Sequence, residues 1–252
     1  MVRFLLPVLL APLLLAAAAP ARADQFTPAQ RDEIVHIMRD ALKQDPTILR
    51  DAVEALQADE SSRQEAAGRS AIAASRQALT DDPADPVAGN PKGDVTIVEF
   101  FDTRCPYCRK LEPTMAALLK ADHGVRLVYK DLPILGPASV VGSKALLAAQ
   151  RQEDKVPGAY EKLRDTLMRP GAEQTREAIL AEAGRLGLDP TRLGKDMDDP
   201  AIQRRIDTNL RLARTLGIQG TPALVIGDAL IPGAVETAEL DRAVKTARAG
   251  GR

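Results

Sequence analysis

The fold prediction depends on the stretch Val98-Glu99-Phe100-Phe101-Asp102-Thr103-Arg104-Cys105-Pro106-Tyr107-Cys108. Its first part continues a run of β-branched and aromatic residues from residue 95, which is typical of a buried strand. Residues 106–120 place large apolar side chains at helical spacing, and residues 125–130 form a second apolar run. Strand, helix and strand at this spacing predict a βαβ unit whose helix begins at the first cysteine.

Cys105 and Cys108 are the only cysteines of the chain. At a helix start, unpaired main-chain N–H groups and the helix dipole favour the thiolate form of Cys105, and Cys108 follows one turn later. We therefore expect an exposed nucleophile at Cys105 and a buried resolving cysteine at Cys108. A structural disulfide is a poor alternative because so short a loop removes little chain entropy. A zinc site would need two more ligands, and His36 and His123 lie far apart in sequence.

Residues 1–23 have the pattern of a secretory signal peptide. Arg3 is followed by an uncharged run rich in Leu and Ala and then by Ala21-Arg22-Ala23, which predicts cleavage after Ala23. The alternative is an uncleaved membrane anchor, since the apolar run approaches the roughly 17 residues that can span a bilayer. Cleavage would leave 32 basic against 35 acidic residues, a net charge of −3. This balance argues against nucleic acid or an anionic membrane as the main partner.

Residues 24–80 predict helices with narrow apolar stripes. Thr27-Pro28-Ala29-Gln30 is a capping box, and apolar residues at helical spacing follow it and continue after Asp45-Pro46. Such stripes bury little surface within one chain, so the segment is either a solvated tether or an oligomerisation stalk. We favour the stalk, which predicts a homo-oligomer such as a trimer.

Residues 81–93 contain two Asp-Pro pairs and several turn residues, which predict a linker. We expect a second domain at residues 94–252. Within it, residues 138–216 are wholly helical in pattern, and Gly227-Asp228 joins two short strands ahead of a closing helix.

The motif around the cysteines resembles the active-site strand and helix of the DsbA-like thioredoxin superfamily. Lys130-Asp131-Leu132-Pro133-Ile134-Leu135-Gly136 is similar to the second strand and loop of its periplasmic members, and Gly220-Thr221-Pro222 falls where the family carries a cis-proline. The N-terminal segment, with Asp45-Pro46 and the stretch from Ala52 to Gln57, resembles the ScsC group (suppressor of copper sensitivity protein C). The resemblance implies an α/β thioredoxin-like fold with a helical subdomain inserted at about residues 138–216, preceded by an N-terminal helical segment, in a periplasmic protein.

The resemblance also implies roles for individual residues. Thr221 and Pro222, if the peptide bond between them is cis rather than trans, would bind substrate main chain beside Cys105. Glu99 would be a buried acid with a raised pKa that relays protons to or from Cys108, the alternative being a solvated carboxylate at a strand edge. Three residues around the cysteines would modulate the site: Pro106, Tyr107 and Arg104. Tyr107 stands where strongly oxidising members carry His, and Arg104 would either add positive charge or lie in solvent.

These assignments predict thiol–disulfide exchange on cysteine-containing exported proteins, together with a membrane redox partner. Isomerase or reductase activity is favoured because Tyr107 and Thr221 depart from the pattern of dedicated oxidases, and a DsbA-type oxidase is the alternative. A further alternative is a copper-binding or chaperone protein that uses the two thiolates as soft ligands for Cu(I). A cis-proline and Glu99 would be superfluous in that role, so we expect no metal and no cofactor beyond the Cys105–Cys108 pair.

Overall fold

The computed structural model describes residues 26–250, which contain a five-stranded sheet and ten helices. The strands are β1 (Val87–Gly89), β2 (Val95–Phe101), β3 (Val125–Asp131), β4 (Ala223–Ile226) and β5 (Ala229–Pro232). The helices are α1 (Pro28–Gln44), α2 (Thr47–Ala74), α3 (Arg76–Thr80), α4 (Pro106–Ala121), α5 (Pro137–Gln150), α6 (Ala159–Leu167), α7 (Arg176–Arg185), α8 (Pro190–Met197), α9 (Pro200–Thr215) and α10 (Thr237–Gly250).

The sheet has the strand order β1-β3-β2-β4-β5. β2 and β3 are parallel and are joined through α4, which confirms the predicted βαβ unit, and every other pairing is antiparallel. Gly227 adopts a positive φ of 64° in the tight turn between β4 and β5. The α/β fold predicted from the sequence is therefore confirmed.

Side chains of β2 point alternately to the two faces of the sheet, and each face has its own core cluster. Ile97 and Phe101 belong to the larger cluster, which also contains Cys108, while Val98 and Phe100 belong to the smaller one. Because side chains alternate along a strand, Glu99 points to the same face as Ile97 and Phe101. This register places a carboxyl group among the apolar residues that surround the cysteines.

Five helices, α5 to α9, lie between β3 and β4 and supply part of the larger cluster. They begin at Pro137 and end at Thr215, which agrees with the helical segment predicted at residues 138–216. We refer to α5–α9 as the helical insertion.

The N-terminal helices begin with the predicted capping box. Gln30 N donates to Thr27 Oγ1, and Thr27 N donates to Gln30 Oε1. In residues 26–60, which form a compact unit of their own, no residue of α1 is buried. Large apolar side chains are instead exposed along α1 and the first part of α2: Ile34, Val35, Ile37, Met38, Leu42, Ile48, Leu49, Val53 and Leu56.

Two predicted boundaries need correction. The end of the supposed stalk belongs to the second compact unit, because Ile72 and Leu79 are buried in the smaller core cluster. The supposed linker, residues 81–93, contains the edge strand β1, whose Val87 lies opposite Val128 of β3. Asp85 in this segment forms a buried ion pair with Lys130, which fastens the chain to β3. Turn-forming residues at 81–93 thus belong to an ordered edge of the sheet.

The predicted signal peptide and its cleavage site after Ala23 lie outside the described residues. Among residues 26–250, no helix has the length and apolar character needed to cross a membrane.

Candidate active site

The two cysteines lie at the beginning of α4, directly after β2. Cys105 is the N-cap of α4 and Pro106 occupies its first turn, where a missing N–H costs nothing. Both thiols are free, as in a reduced dithiol. Cys108 is fully buried, as predicted, but Cys105 is only 4% exposed and not the open nucleophile that was expected.

The segment before β4 contacts Cys105. The Cys105 thiol donates a hydrogen bond to the main-chain oxygen of Thr221, with 3.1 Å between Sγ and O. The Thr221-Pro222 peptide bond is cis, as predicted. Residues that are distant in sequence therefore meet at the Cys105 thiol.

Glu99 is buried on the cysteine side of β2, with 1% of its surface exposed. Its neighbours across the sheet are Tyr129 on β3 and Leu224 on β4. Burial raises the pKa of Glu99 to about 7, against the opposing attraction of Arg164. The alternative of a solvated carboxylate at a strand edge is wrong, because β2 is a central strand.

Burial also raises the pKa of Cys108 well above that of a free thiol, and the negative charge of Glu99 raises it further. Cys108 is thus held as a thiol while Glu99 is ionised. A thiol of this kind needs a base before it can attack, and Glu99 is a nearby group that can hold a proton near neutral pH.

Arg164 is a site residue that the sequence analysis missed. It projects from α6 of the helical insertion, is 2% exposed, and lies 3.5 Å from Glu99 Oε2 through Nη2. Both of its terminal nitrogens donate to the carboxylate of Glu112 on α4. Arg164 is 65 positions from Glu99, so no local sequence pattern connects the two residues. The one signal in the sequence is that Arg164 falls on the buried face of a short amphipathic helix.

Asp102 is a second residue that was missed. Its carboxylate accepts a hydrogen bond from Arg104 N (2.8 Å), and from Ile134 N and Leu135 N (2.9 and 3.0 Å). One buried side chain thereby joins the turn before Cys105 to the loop after β3. An Asp side chain that accepts a hydrogen bond from the main-chain N–H two residues later is a recognisable local signal of a turn.

The helical insertion holds the same turn from the other side. Thr103 Oγ1 donates to Gln174 Oε1 (2.8 Å), and Gln174 Nε2 donates to the main-chain oxygens of Thr103 and Leu167. Gly142 on α5 permits this approach, since a Cβ there would lie 2.6 Å from Thr103 Oγ1. The turn that presents Cys105 is therefore held by one side chain of the insertion, that of Gln174.

The remaining predicted residues lie on the surface of the site. Pro106 and Arg104 are exposed, and Tyr107 is 64% exposed. The structure brings Arg109 into this region as well, because its guanidinium donates to the main-chain oxygen of Arg104. Exposure of Arg104 agrees with the interpretation that it lies in solvent.

Comparison with known proteins agrees with this geometry. Residues 96–245 match the DSBA-like thioredoxin domain family, and residues 30–67 match the family described as copper resistance protein ScsC N-terminal domain. A thioredoxin-like oxidoreductase from Silicibacter pomeroyi DSS-3 is 44% identical, with a TM-score of 0.65 over 69% of this chain and 98% of that one. Proteus mirabilis ScsC in a transitional conformation is 31% identical, with a TM-score of 0.62 over 89% and 100%. A periplasmic thioredoxin-like protein from Salmonella enterica serovar Typhimurium is 35% identical, with a TM-score of 0.61 over 69% and 95%.

Some curated relatives are much longer. The chain is 31% identical over 174 residues to Na(+)/H(+) antiporter NhaA 1 of Salinispora arenicola, and the match spans 26% of that protein's length. The similarity is therefore to one part of the antiporter chain.

Proposed function

Since the chain belongs to the DSBA-like thioredoxin family and carries an N-terminal segment of the ScsC type, we propose that it catalyses thiol–disulfide exchange on protein clients. The observation that carries the proposal is the meeting of three groups: a free Cys105 at a helix start, the Thr221 main chain at 3.1 Å from its sulfur, and buried Glu99 close to Cys108. Each group has a distinct part in the exchange.

In the reducing direction, the Cys105 thiolate attacks one sulfur of a client disulfide. A Cys105–client disulfide forms, and the second client sulfur leaves as a thiolate and takes a proton from water. Cys108 then gives its proton to ionised Glu99 and attacks the Cys105 sulfur. The Cys105–Cys108 disulfide forms, the client sulfur leaves as a thiolate, and the client has gained two electrons. The oxidising direction is the reverse of these steps.

Isomerisation uses only the first half of this sequence. Another thiolate of the client attacks the mixed disulfide, and Cys105 is released in its reduced form. We favour isomerase or reductase activity because the exposed Tyr107 replaces a thiolate-stabilising His and Thr221 precedes the cis-proline. A DsbA-type oxidase is the second candidate.

The apolar surface beside the site suits misfolded clients. Tyr107, Ile134 and Leu135 are 64%, 41% and 45% exposed, and the main chain of the latter two is bound by Asp102, close to Cys105. Polypeptides with wrong disulfides expose apolar segments, so we expect a client to contact these side chains while its main chain pairs with Thr221.

We also propose that copies of the chain associate through the N-terminal helices. The exposed apolar side chains of α1 and the first part of α2 recur at helical spacing, as at Ile34, Ile37 and Met38. Water contact with such a stripe is unfavourable, and equivalent stripes of neighbouring copies would cover it. A homo-oligomer, such as a trimer, would hold several Cys105 sites around one client and raise their effective concentration.

Export to the periplasm is part of the proposal. It is supported by the pattern of residues 1–23 and by similarity to a periplasmic thioredoxin-like protein. Clients are then cysteine-containing exported proteins, and a membrane redox partner restores the required state of the cysteine pair.

The test is capture of the mixed disulfide. Cys108→Ser removes the resolving thiol, so clients should remain covalently attached to Cys105 and be released by reductant. Cys105→Ser is the matched control and should trap far less. Equal trapping by both variants would contradict the assigned order of attack.

The match to a copper resistance protein family gives one reason to test Cu(I) binding by the two thiolates. Tight Cu(I) binding by the reduced protein, combined with no trapping by Cys108→Ser, would favour the copper-binding alternative over exchange.

A further inference from the structure

Arg164 connects the helical insertion with the acid close to the resolving cysteine. Its guanidinium carbon lies 4.7 Å from the ring centroid of Phe101 and 4.3 Å from that of Tyr129. Cation–π contacts with the two rings restrict where the planar group can lie. A side chain of α6 is thus held between β2, β3 and α4.

The positive charge of Arg164 is shared unequally between two carboxylates. Glu112 receives two hydrogen bonds from the guanidinium, one of them 2.8 Å long between Nη1 and Oε2. Glu99 lies at ion-pair distance, 3.5 Å, but neither of its oxygens has a hydrogen-bond partner among the described residues. Arg164 therefore attracts the charge of Glu99 without hydrogen bonding to it.

This arrangement has a chemical consequence. A bidentate pair with Arg164 would keep Glu99 ionised at all ordinary pH values, and loss of the cation would leave a buried carboxyl neutral. Glu112, whose side chain is 30% exposed, keeps the guanidinium partly neutralised. Glu99 consequently retains access to both of its forms.

We propose that Arg164 and Glu112 are positioning residues for the thiol chemistry, which together set the balance between neutral and ionised Glu99. The inference rests on the proposed function, because that balance determines when Glu99 can accept the Cys108 proton. It assigns the helical insertion a part in the redox chemistry through one side chain.

Glu99 is faced by ionisable groups from three elements. Cys108 and Glu112 project from α4, Tyr129 from β3 and Arg164 from α6, while its neighbour on β4 is Leu224. Burial raises the pKa of Tyr129 and Cys108, so both are neutral near pH 7 in the reduced protein. Asp131, which is also attracted by Arg164, has a pKa raised by burial to about 7 and must be observed separately from Glu99.

The experiment follows the Glu99 carboxyl carbon by NMR against pH, in full-length reduced protein labelled with ¹³C-glutamate. Glu99→Gln assigns the signal, and the label leaves Asp131 silent. Arg164→Met should raise the midpoint by about one pH unit or more, and Glu112→Gln should lower it. Arg164→Lys keeps the charge and should lie between wild type and Arg164→Met. Arg169→Met is the matched control, because Arg169 is exposed on the same insertion. The Glu99 midpoint should not move in this variant.

The pH profile of mixed-disulfide resolution should shift in the same directions. Lower stability with unmoved midpoints would reduce Arg164 to a structural residue and overturn the inference. If Arg164→Met does not fold, Glu112→Gln decides alone, since its side chain is partly exposed. If the Glu99 midpoints of the variants do not move and the wild-type protein still exchanges disulfides, this inference is overturned and the proposed function stands. A wild-type protein that resolves no mixed disulfide at any pH would overturn the proposed function, and the catalytic part of this inference with it.

Discussion

Glu99→Gln should stabilise the folded protein at high pH much more than at low pH. Folding moves the pKa of Glu99 from 4.5 to about 7, chiefly because burial disfavours the carboxylate. Between these values the folded state binds more protons than the unfolded chain, so the contribution of Glu99 to stability falls as pH rises from about 4.5 to about 7. At about 1.4 kcal/mol for each pH unit, the loss amounts to about 3 kcal/mol.

Gln cannot ionise, so the variant avoids this loss. Arg164 remains paired with Glu112 in the variant, which limits other changes at the site. We therefore expect the difference in unfolding free energy between variant and wild type to rise by about 3 kcal/mol from about pH 4 to about pH 8.5. Any constant effect of the amide cancels when the two ends of the range are compared.

The assay is urea denaturation of the reduced proteins at a series of pH values, with a phosphine reductant present throughout. Glu177→Gln, an exposed carboxylate on α7, is the matched control and should show no comparable rise. A difference for Glu99→Gln that stays constant within about 0.5 kcal/mol across the range would refute the raised pKa, and with it the basis for Glu99 as a proton acceptor.

Other predictions concern catalysis, the hydrogen bonds of Asp102 and the N-terminal helices. Glu99→Ala should slow the resolution of a mixed disulfide, while the rate of Cys105 attack changes much less in rapid-mixing measurements; rates of both steps that are unchanged from wild type across neutral pH would remove Glu99 from the mechanism. Asp102→Ala should lower the unfolding free energy by about 3 kcal/mol in urea, because three main-chain N–H groups lose a buried acceptor; an unchanged urea midpoint would contradict the stabilising role of these hydrogen bonds. A chain that begins at Ser61 should be monomeric by light scattering, retain a reactive Cys105, lose isomerase activity on scrambled substrates, and keep or gain oxidase activity; a monomeric mature chain would refute the stalk. A chain that begins at Pro83 should be less stable than the Ser61 chain by several kcal/mol, since it lacks the buried side chains of Ile72 and Leu79; equal stability would refute their role in the core.

Features that depend on neighbouring residues can be predicted from the amino-acid sequence alone. Thr27 and Gln30 cap α1 as their spacing predicts, the cysteine pair begins a helix, and Gly227-Asp228 turns the chain between β4 and β5. Capping, helical periodicity and tight turns are set within a few residues, so their signals can be read locally. The family resemblance added the cis bond at Thr221-Pro222 and the buried acid at Glu99, which the structure bears out as geometry.

Contacts between distant parts of the chain determine which groups surround the cysteines and which part of residues 24–80 belongs to the second compact unit. Thr221 supplies the oxygen that accepts the hydrogen bond of the Cys105 thiol, and Arg164 of the insertion supplies the cation beside Glu99. The edge strand β1 and the burial of Leu79 likewise depend on contacts with distant strands. A charge inside a protein takes its protonation from every group packed against it, and those groups are brought together by the fold rather than by their spacing along the chain.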